Sequence, residues 1–353
     1  MFYRLKNALI HLTPGPLLFP AHYRQVRCSM QKNLADLHRL KLIQQSTSRQ
    51  QWVLISKVEH FGDIVAVEPL ARFLRRKHPN AFLVWCVKEE YRELLLDHPA
   101  LDLVLTVVCL SEASAVAGSG LFDYVYDLHE NLRFCPRCLS LISKSPAAVT
   151  MQNYLHFDNL LAAACITANL PILNDSPVIQ IPSAARSRVA QLDLPPQYIV
   201  LHCSSRERVK SWPPSSWQKL AYRLHGHNLP PVVEIGQRSA LTSRHTPTHN
   251  LCNKLSIMET AAVIEKSLLF LGVDSGPAHL ANALHIPGII LIGKYRGFRR
   301  YIPYSGFYRH GGARIIFSDS SLAQITVEAV EEVVLASFAE IGRQCKLTDG
   351  AQH

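Results

Sequence analysis

Leu268-Leu269-Phe270-Leu271-Gly272-Val273 is an uncharged run of strand length, and Asp274-Ser275-Gly276-Pro277-Ala278-His279 follows it directly. An unbroken apolar run that ends in a turn of small residues reads as a strand buried on both faces, as in a parallel sheet. Pro277 suits the first turn of a helix, where its missing N–H costs nothing. The segment therefore reads as strand, turn, helix. Small residues at such a turn free backbone amides to face an anion, and His279 looks back toward the loop from one turn inside.

The same rhythm extends in both directions. Tyr198-Ile199-Val200-Leu201, Val232-Val233-Glu234-Ile235 and Ile289-Ile290-Leu291-Ile292 join the quoted run as one set of buried strands. An earlier set comprises Trp52-Val53-Leu54-Ile55, residues 81–87, 103–107 and 122–127, and a short run over 147–150, with a helix expected from Asp63 to Lys77. Alternation of strands with helical patterns predicts repeated βαβ units and parallel sheets. The 353 residues exceed the roughly 250–300 that one core usually serves, which favours two domains. The expected division is a basic arm over 1–50, a Rossmann-like domain over 51–182, a proline-marked linker over 183–197 and a second Rossmann-like domain over 198–321. A last helix over 322–343 is expected to pack back on the first domain.

Hydrophobic residues at 48% and charged residues at 18% exclude a disordered chain. Nine irregularly spaced cysteines do not form a secreted disulfide framework and fit a reducing compartment. The net charge of +10 is uneven. Arg4, Lys6, Arg24, Arg27, Lys32, Arg39, Lys41 and Arg49 stand against Asp36 alone in the first 50 residues, which suits either a solvated extension or contact with an anionic membrane surface. No nucleic-acid motif accompanies the charge. Pro14 and Pro16 break the apolar pieces nearby, so neither a secretory signal nor a membrane span is expected.

In doubly wound folds ligands sit beyond the carboxyl ends of the strands. Lys57-Val58-Glu59-His60-Phe61-Gly62-Asp63 is one such loop; Gly62 permits a tight turn, and Asp63 is either a helix N-cap or a carboxylate able to take a proton from a hydroxyl. A second loop, His202 to Pro213, supplies Ser204, Ser205 and Lys210 before a proline-led helix, a chemistry suited to a pyrophosphate or merely to a polar connection. His129, in the loop after the strand ending at Asp127, is a candidate contact for a second substrate. Cys135-Pro136-Arg137-Cys138 invites a metal reading, but no second Cys-x-x-Cys exists, and Cys109, Cys165 and His129 would have to be brought to it by folding. No metal site is therefore expected.

Gly62-Asp63, Lys210-x-Trp212-Pro213 with Trp217, and Asp274-Ser275-Gly276-Pro277-x-His279-Leu280 together resemble the ADP-heptose:lipopolysaccharide heptosyltransferases, glycosyltransferase family 9, over about residues 52–342. The resemblance implies a GT-B fold with two Rossmann-like domains facing across a cleft, and inverting, metal-independent transfer without a cofactor from a nucleotide sugar to a glycolipid or glycan acceptor. It implies that Asp63 is the general base, that Lys210 lies beside the phosphates, and that Asp274, Ser275, Gly276 and His279 form the donor turn. Lys57, Gly62 and His129 would face the acceptor. Gly293-Lys294-Tyr295 departs from the family's Gly-Pro-Thr, with Lys294 either a further phosphate contact or the mark of a different donor, and the following stretch to Gly312 interleaves arginines with aromatics. The implied setting is cytoplasmic, at the inner face of a bacterial membrane. A sugar-nucleotide epimerase and a non-catalytic binding protein are the alternatives.

Overall fold

The computed structural model describes residues 20–44, 51–142, 148–242 and 248–349. They divide into two units: Met1–Gln180 with Pro303–Ser305, and Ile181–Ile302 with Gly306–His353.

The first unit opens with α1 (Pro20–Gln44), then β1 (Trp52–Ser56), α2 (Phe61–Ala66), α3 (Pro69–Lys77), β2 (Phe82–Lys88), β3 (Leu103–Val107), α4 (Leu110–Ala117) and β4 (Tyr124–Asp127). A short antiparallel hairpin, β5 (Arg133–Cys135) and β6 (Ser140–Ile142), and then α5 (Leu160–Thr167) complete it. The sheet runs β3-β2-β1-β4 with every pair parallel. Apolar residues of β1 and β2 are buried on both faces, as their uninterrupted sequences require. The run over 147–150 forms no strand among the described residues; Thr150 makes one parallel bridge to Asn131.

The expected arm is in part a structural helix. Val26, Met30 and Leu37 fall on one stripe of α1 and are buried against the first unit, with Val26 and Leu37 in the same core cluster as Ala113 and Val116 of α4. Ser29 Oγ and Asn33 Nδ2 donate to the buried Glu112 carboxylate at 2.7 and 2.9 Å. Arg24, Arg27, Lys32 and Arg39 stay exposed. Arg4, Lys6, Arg49 and the proline-broken apolar pieces lie outside the described residues. No described helix is long and apolar enough to cross a membrane.

The second unit contains α6 (Ser183–Ala190), β7 (Ile199–His202), α7 (Pro214–Gly226), β8 (Val232–Ile235), β9 (Thr248–Asn250), α8 (Ile257–Glu265), β10 (Leu269–Val273), α9 (Gly276–Ala283), β11 (Gly288–Ile292), β12 (Ala313–Phe317) and α10 (Val327–Asp349). Its parallel sheet runs β12-β11-β10-β7-β8-β9. Two expectations need correction. The linker region begins with α6, which packs on α8 and pairs Arg186 with Glu265 at 2.8 and 2.7 Å; Pro182 serves as its N-cap rather than as a break. The terminal helix, expected on the first domain, belongs to the second unit and packs there on α7. Val330 and Val334 enter the core with Leu220 and Leu224, while Glu328 and Glu331 meet Lys219, Arg223 and His227.

Trp212 and Trp217 pack edge to face at 4.8 Å in that core. Their indole N–H groups donate to the carbonyls of Ile325 and Cys203 at 3.0 and 2.9 Å. The Trp-Pro step thus fixes the end of the loop that carries Lys210, a packing task rather than a ligand contact.

Candidate active site

Strand order places the chemistry. In the first sheet β2 and β3 lie on one side of β1 and β4 on the other; in the second, β8 lies on one side of β7 and β10 on the other. Such reversals open a crevice beyond the carboxyl ends of the two central strands. The loops after β1 and β4, and those after β7 and β10, are among the segments singled out by sequence.

In the first unit α2 starts at Phe61, with His60 at its N-cap and no side-chain cap bond. Asp63 is therefore in the first turn, not the cap, and Gly62 is a buried helical residue rather than the loop's hinge. Asp63 Oδ2 lies 3.6 Å from Lys57 Nζ and 4.0 Å from Arg133 Nη1. Both cations also hold the buried Glu130, at 2.9 and 2.5 Å. Burial opposes the Glu130 charge, but Lys57 and Arg133 outweigh it and keep that carboxyl below its ordinary range. Glu59 pairs with Lys88 and lies 3.9 Å from Arg133. Asp63, 26% exposed, is the part of this network that an incoming hydroxyl can reach, held by partners that are nearly all buried.

Two acceptor-side expectations are corrected here. Lys57, 2% exposed, stands behind Asp63 and orients it. His129 is equally buried: its Nε2 accepts the Val58 N–H at 3.0 Å and its Nδ1 donates to Asp127 Oδ1 at 2.6 Å. Burial lowers the imidazole pKa. His129 braces the loop and presents no face to a substrate.

In the second unit Asp274, at the carboxyl end of β10, is buried. Its Oδ2 accepts from Lys210 Nζ at 2.7 Å and from Tyr301 Oη at 2.9 Å. Burial raises the Asp274 pKa, yet the Lys210 ammonium outweighs it and the net displacement is downward. Lys210 ends a 3-10 turn, Arg208–Lys210, and its ammonium lies 4.2 and 5.6 Å from the ring centroids of Tyr295 and Tyr301. One cation is thus held by a carboxylate and two aromatic faces. The sequence pointed to Lys210, to Asp274 and to the stretch containing these tyrosines, but not to their meeting. Glu130 lay in a flagged loop without being chosen, and Arg133 carried no signal.

Ser275 is the N-cap residue of α9, and its hydroxyl bonds to His202 Nδ1 at 2.9 Å and donates to the Val273 carbonyl at 3.0 Å. It braces the turn between β10 and β7. Gly276 opens α9, whose first amides have no partner inside the helix, and the buried His279 lies within electrostatic reach of Asp274. Ser204 and Ser205 are half-buried on the loop after β7; the Ser205 N–H donates to Ser211 Oγ, and its hydroxyl accepts from the Glu207 N–H. Lys294 is exposed on the loop after β11. The arrangement offers an anion one buried-pair cation and the start of a helix, at the crevice of the sheet.

Residues 142–305 match glycosyltransferase family 9 (heptosyltransferase). Lipopolysaccharide heptosyltransferase 3 of Escherichia coli is 23% identical over 273 residues, covering 66% of this chain and 80% of that protein. Among solved structures, a glycosyl transferase family 9 protein from Veillonella parvula DSM 2008 has a TM-score of 0.64 at 16% identity, covering 82% of this chain and 97% of that one. E. coli ADP-heptose LPS heptosyltransferase II has a TM-score of 0.60 at 17% identity, covering 83% and 100%. Matching segment, curated relative and pair of Rossmann-like units together make the chain similar to glycosyltransferase family 9, the heptosyltransferases, with the fold of their solved GT-B-type structures.

Proposed function

We propose that the chain transfers heptose from ADP-heptose to a saccharide of lipopolysaccharide-core type, with inversion, no catalytic metal and no cofactor. The observation that carries this reading is the Lys210–Asp274–Tyr301 cluster beside the start of α9. The names of the relatives supply the sugar and the acceptor class.

In this reading the acceptor hydroxyl gives its proton to Asp63 and its oxygen attacks the anomeric carbon. The bond from that carbon to the diphosphate breaks, and its electron pair leaves with the diphosphate oxygen. Charge grows on the diphosphate as the bond opens, where the α9 amides and Lys210, with Lys294 added, stabilise it. Lys57 and Arg133 hold the Asp63 carboxylate in place for the proton. The exposed basic face of α1, with the residues before it, would meet anionic lipid at the cytoplasmic side of the membrane.

The test combines calorimetry of ADP, UDP and GDP with product analysis on a heptose-deficient core acceptor, in buffer with and without added divalent cation. Selective ADP binding, transfer without added cation and an inverted anomeric centre are expected. Asp63→Asn should lower turnover about 10²–10⁴-fold while ADP still binds. Preference for another nucleotide would change the donor. Conversion of the nucleotide sugar without acceptor would favour the epimerase, and nucleotide binding with no turnover a binding protein.

A further inference from the structure

The fold assembles a cysteine cluster that neither the transfer chemistry nor the family match uses. Cys135 ends β5 and Cys138 lies in the turn that leads to β6, while Cys109 comes from the N-cap of α4, 26 positions upstream of Cys135. All three are buried, and their sulfur atoms lie within 4.8 Å of one another, with Cys109 and Cys138 at 3.6 Å. The latter distance is far from the roughly 2.05 Å of a disulfide. It is close to the sulfur–sulfur edge of about 3.8 Å around a tetrahedral ion with zinc–sulfur bonds near 2.3 Å.

The local backbone supports the same reading. Cys135 pairs with Ser140 across the hairpin, so Pro136 to Leu139 forms a tight turn, with Leu139 in the left-handed region at φ 52°. The turn brings two sulfurs from one short loop to a third that starts a helix. The hydroxyls of Ser111 and Ser140 bond to each other at 2.8 Å next to the cluster. Of the candidates that sequence reading raised for completing the pair, Cys109 arrives; His129 is engaged elsewhere, and Cys165 sits on α5.

We propose that Cys109, Cys135 and Cys138 bind one thiophilic divalent cation of the zinc class, with the fourth position taken by water or a small exogenous ligand. Each thiol releases its proton on binding, so uptake weakens as pH falls. The ion ties the β5–β6 hairpin to α4. Arg133, two residues before Cys135 on β5, is thereby held against Glu130 and Asp63. The site is structural: its sulfurs are buried and serve the position of the carboxylate network rather than the sugar.

Elemental analysis of the full chain, purified under reducing conditions and reconstituted with zinc, should give about one metal equivalent per chain. Cobalt(II) in its place should show thiolate-to-cobalt charge transfer in the near ultraviolet. Cys135→Ser should cut metal content at least about tenfold. Should that variant fail to fold, the wild-type chain answers alone: mercurial titration monitored with a chromogenic chelator should release zinc as the buried thiols react. Substoichiometric metal after reconstitution, a Cys109–Cys138 disulfide in peptide mass analysis, or a cobalt spectrum without sulfur charge transfer would each overturn the assignment.

Discussion

Burial holds the His202 imidazole down to about 4 from its ordinary 6.5. The ring ends β7, bonds to Ser275 Oγ, and packs so closely on Gly236, at φ +130°, that a Cβ there would approach its ring atoms to 3.2 Å. Above pH 6.5 folded and unfolded chains both carry it neutral, so it contributes no slope. Below that value the unfolded chain takes a proton that the folded chain refuses, and stability falls by about 1.4 kcal/mol per pH unit until the folded group titrates near 4. The loss across this window is about 3 kcal/mol. The substitution His202→Asn keeps a polar partner for Ser275 and removes the titration. Amide-exchange protection of β7 and β10, corrected for intrinsic exchange, should therefore fall more steeply between pH 6.5 and 4 in the wild type than in the variant. Parallel pH profiles for the two proteins would refute the argument.

Lys210→Met strips the cation from a buried carboxylate, which costs roughly 3–5 kcal/mol when one partner of a buried pair is lost, so thermal unfolding should shift down and calorimetry should show ADP affinity weakened at least about tenfold. Glu130→Gln leaves Lys57 and Arg133 buried with a shared partner missing and should destabilise the first unit by a similar roughly 3–5 kcal/mol in urea unfolding at neutral pH. Since the folded Glu130 pKa is lowered, the stabilisation is present above the usual carboxylate range and is lost as pH drops through the folded value; the two proteins should converge in acid. Deleting residues 1–44 removes Val26, Met30 and Leu37, each contributing about 1.5–3 kcal/mol, and should unfold the first unit, read as loss of its cooperative urea transition.

The strand-helix rhythm was legible because strands buried on both faces leave unbroken apolar runs, Leu269 to Val273 in β10 and Ile289 to Ile292 in β11, that few other structures need. The grouping of Lys210 with Asp274 was legible for the same reason, since both lie in segments that follow a strand end. What sequence hid were partners set by folding alone. Cys109 reaches the Cys-x-x-Cys hairpin only because α4 starts beside it. His129 looked accessible because nothing local shows that Val58 and Asp127 occupy both nitrogens. The basic charge of the first 50 residues masked the apolar stripe of α1, and prolines at 182, 195 and 196 concealed the helix between them.

The return of Pro303–Ser305 to the first unit has a practical consequence for dissecting the molecule. The chain passes between units at 180/181, 302/303 and 305/306. A fragment that stops at Gln180 forfeits the Pro303 carbonyl that accepts from the Leu160 N–H, and the Ser305 hydroxyl that donates to the Asp175 carbonyl at 3.1 Å. Those two bonds anchor the start of α5 and the segment after it. Expression of separate halves therefore calls for grafting these three residues back by a linker, or for co-expressing complementary pieces, rather than for a single cut at the apparent boundary.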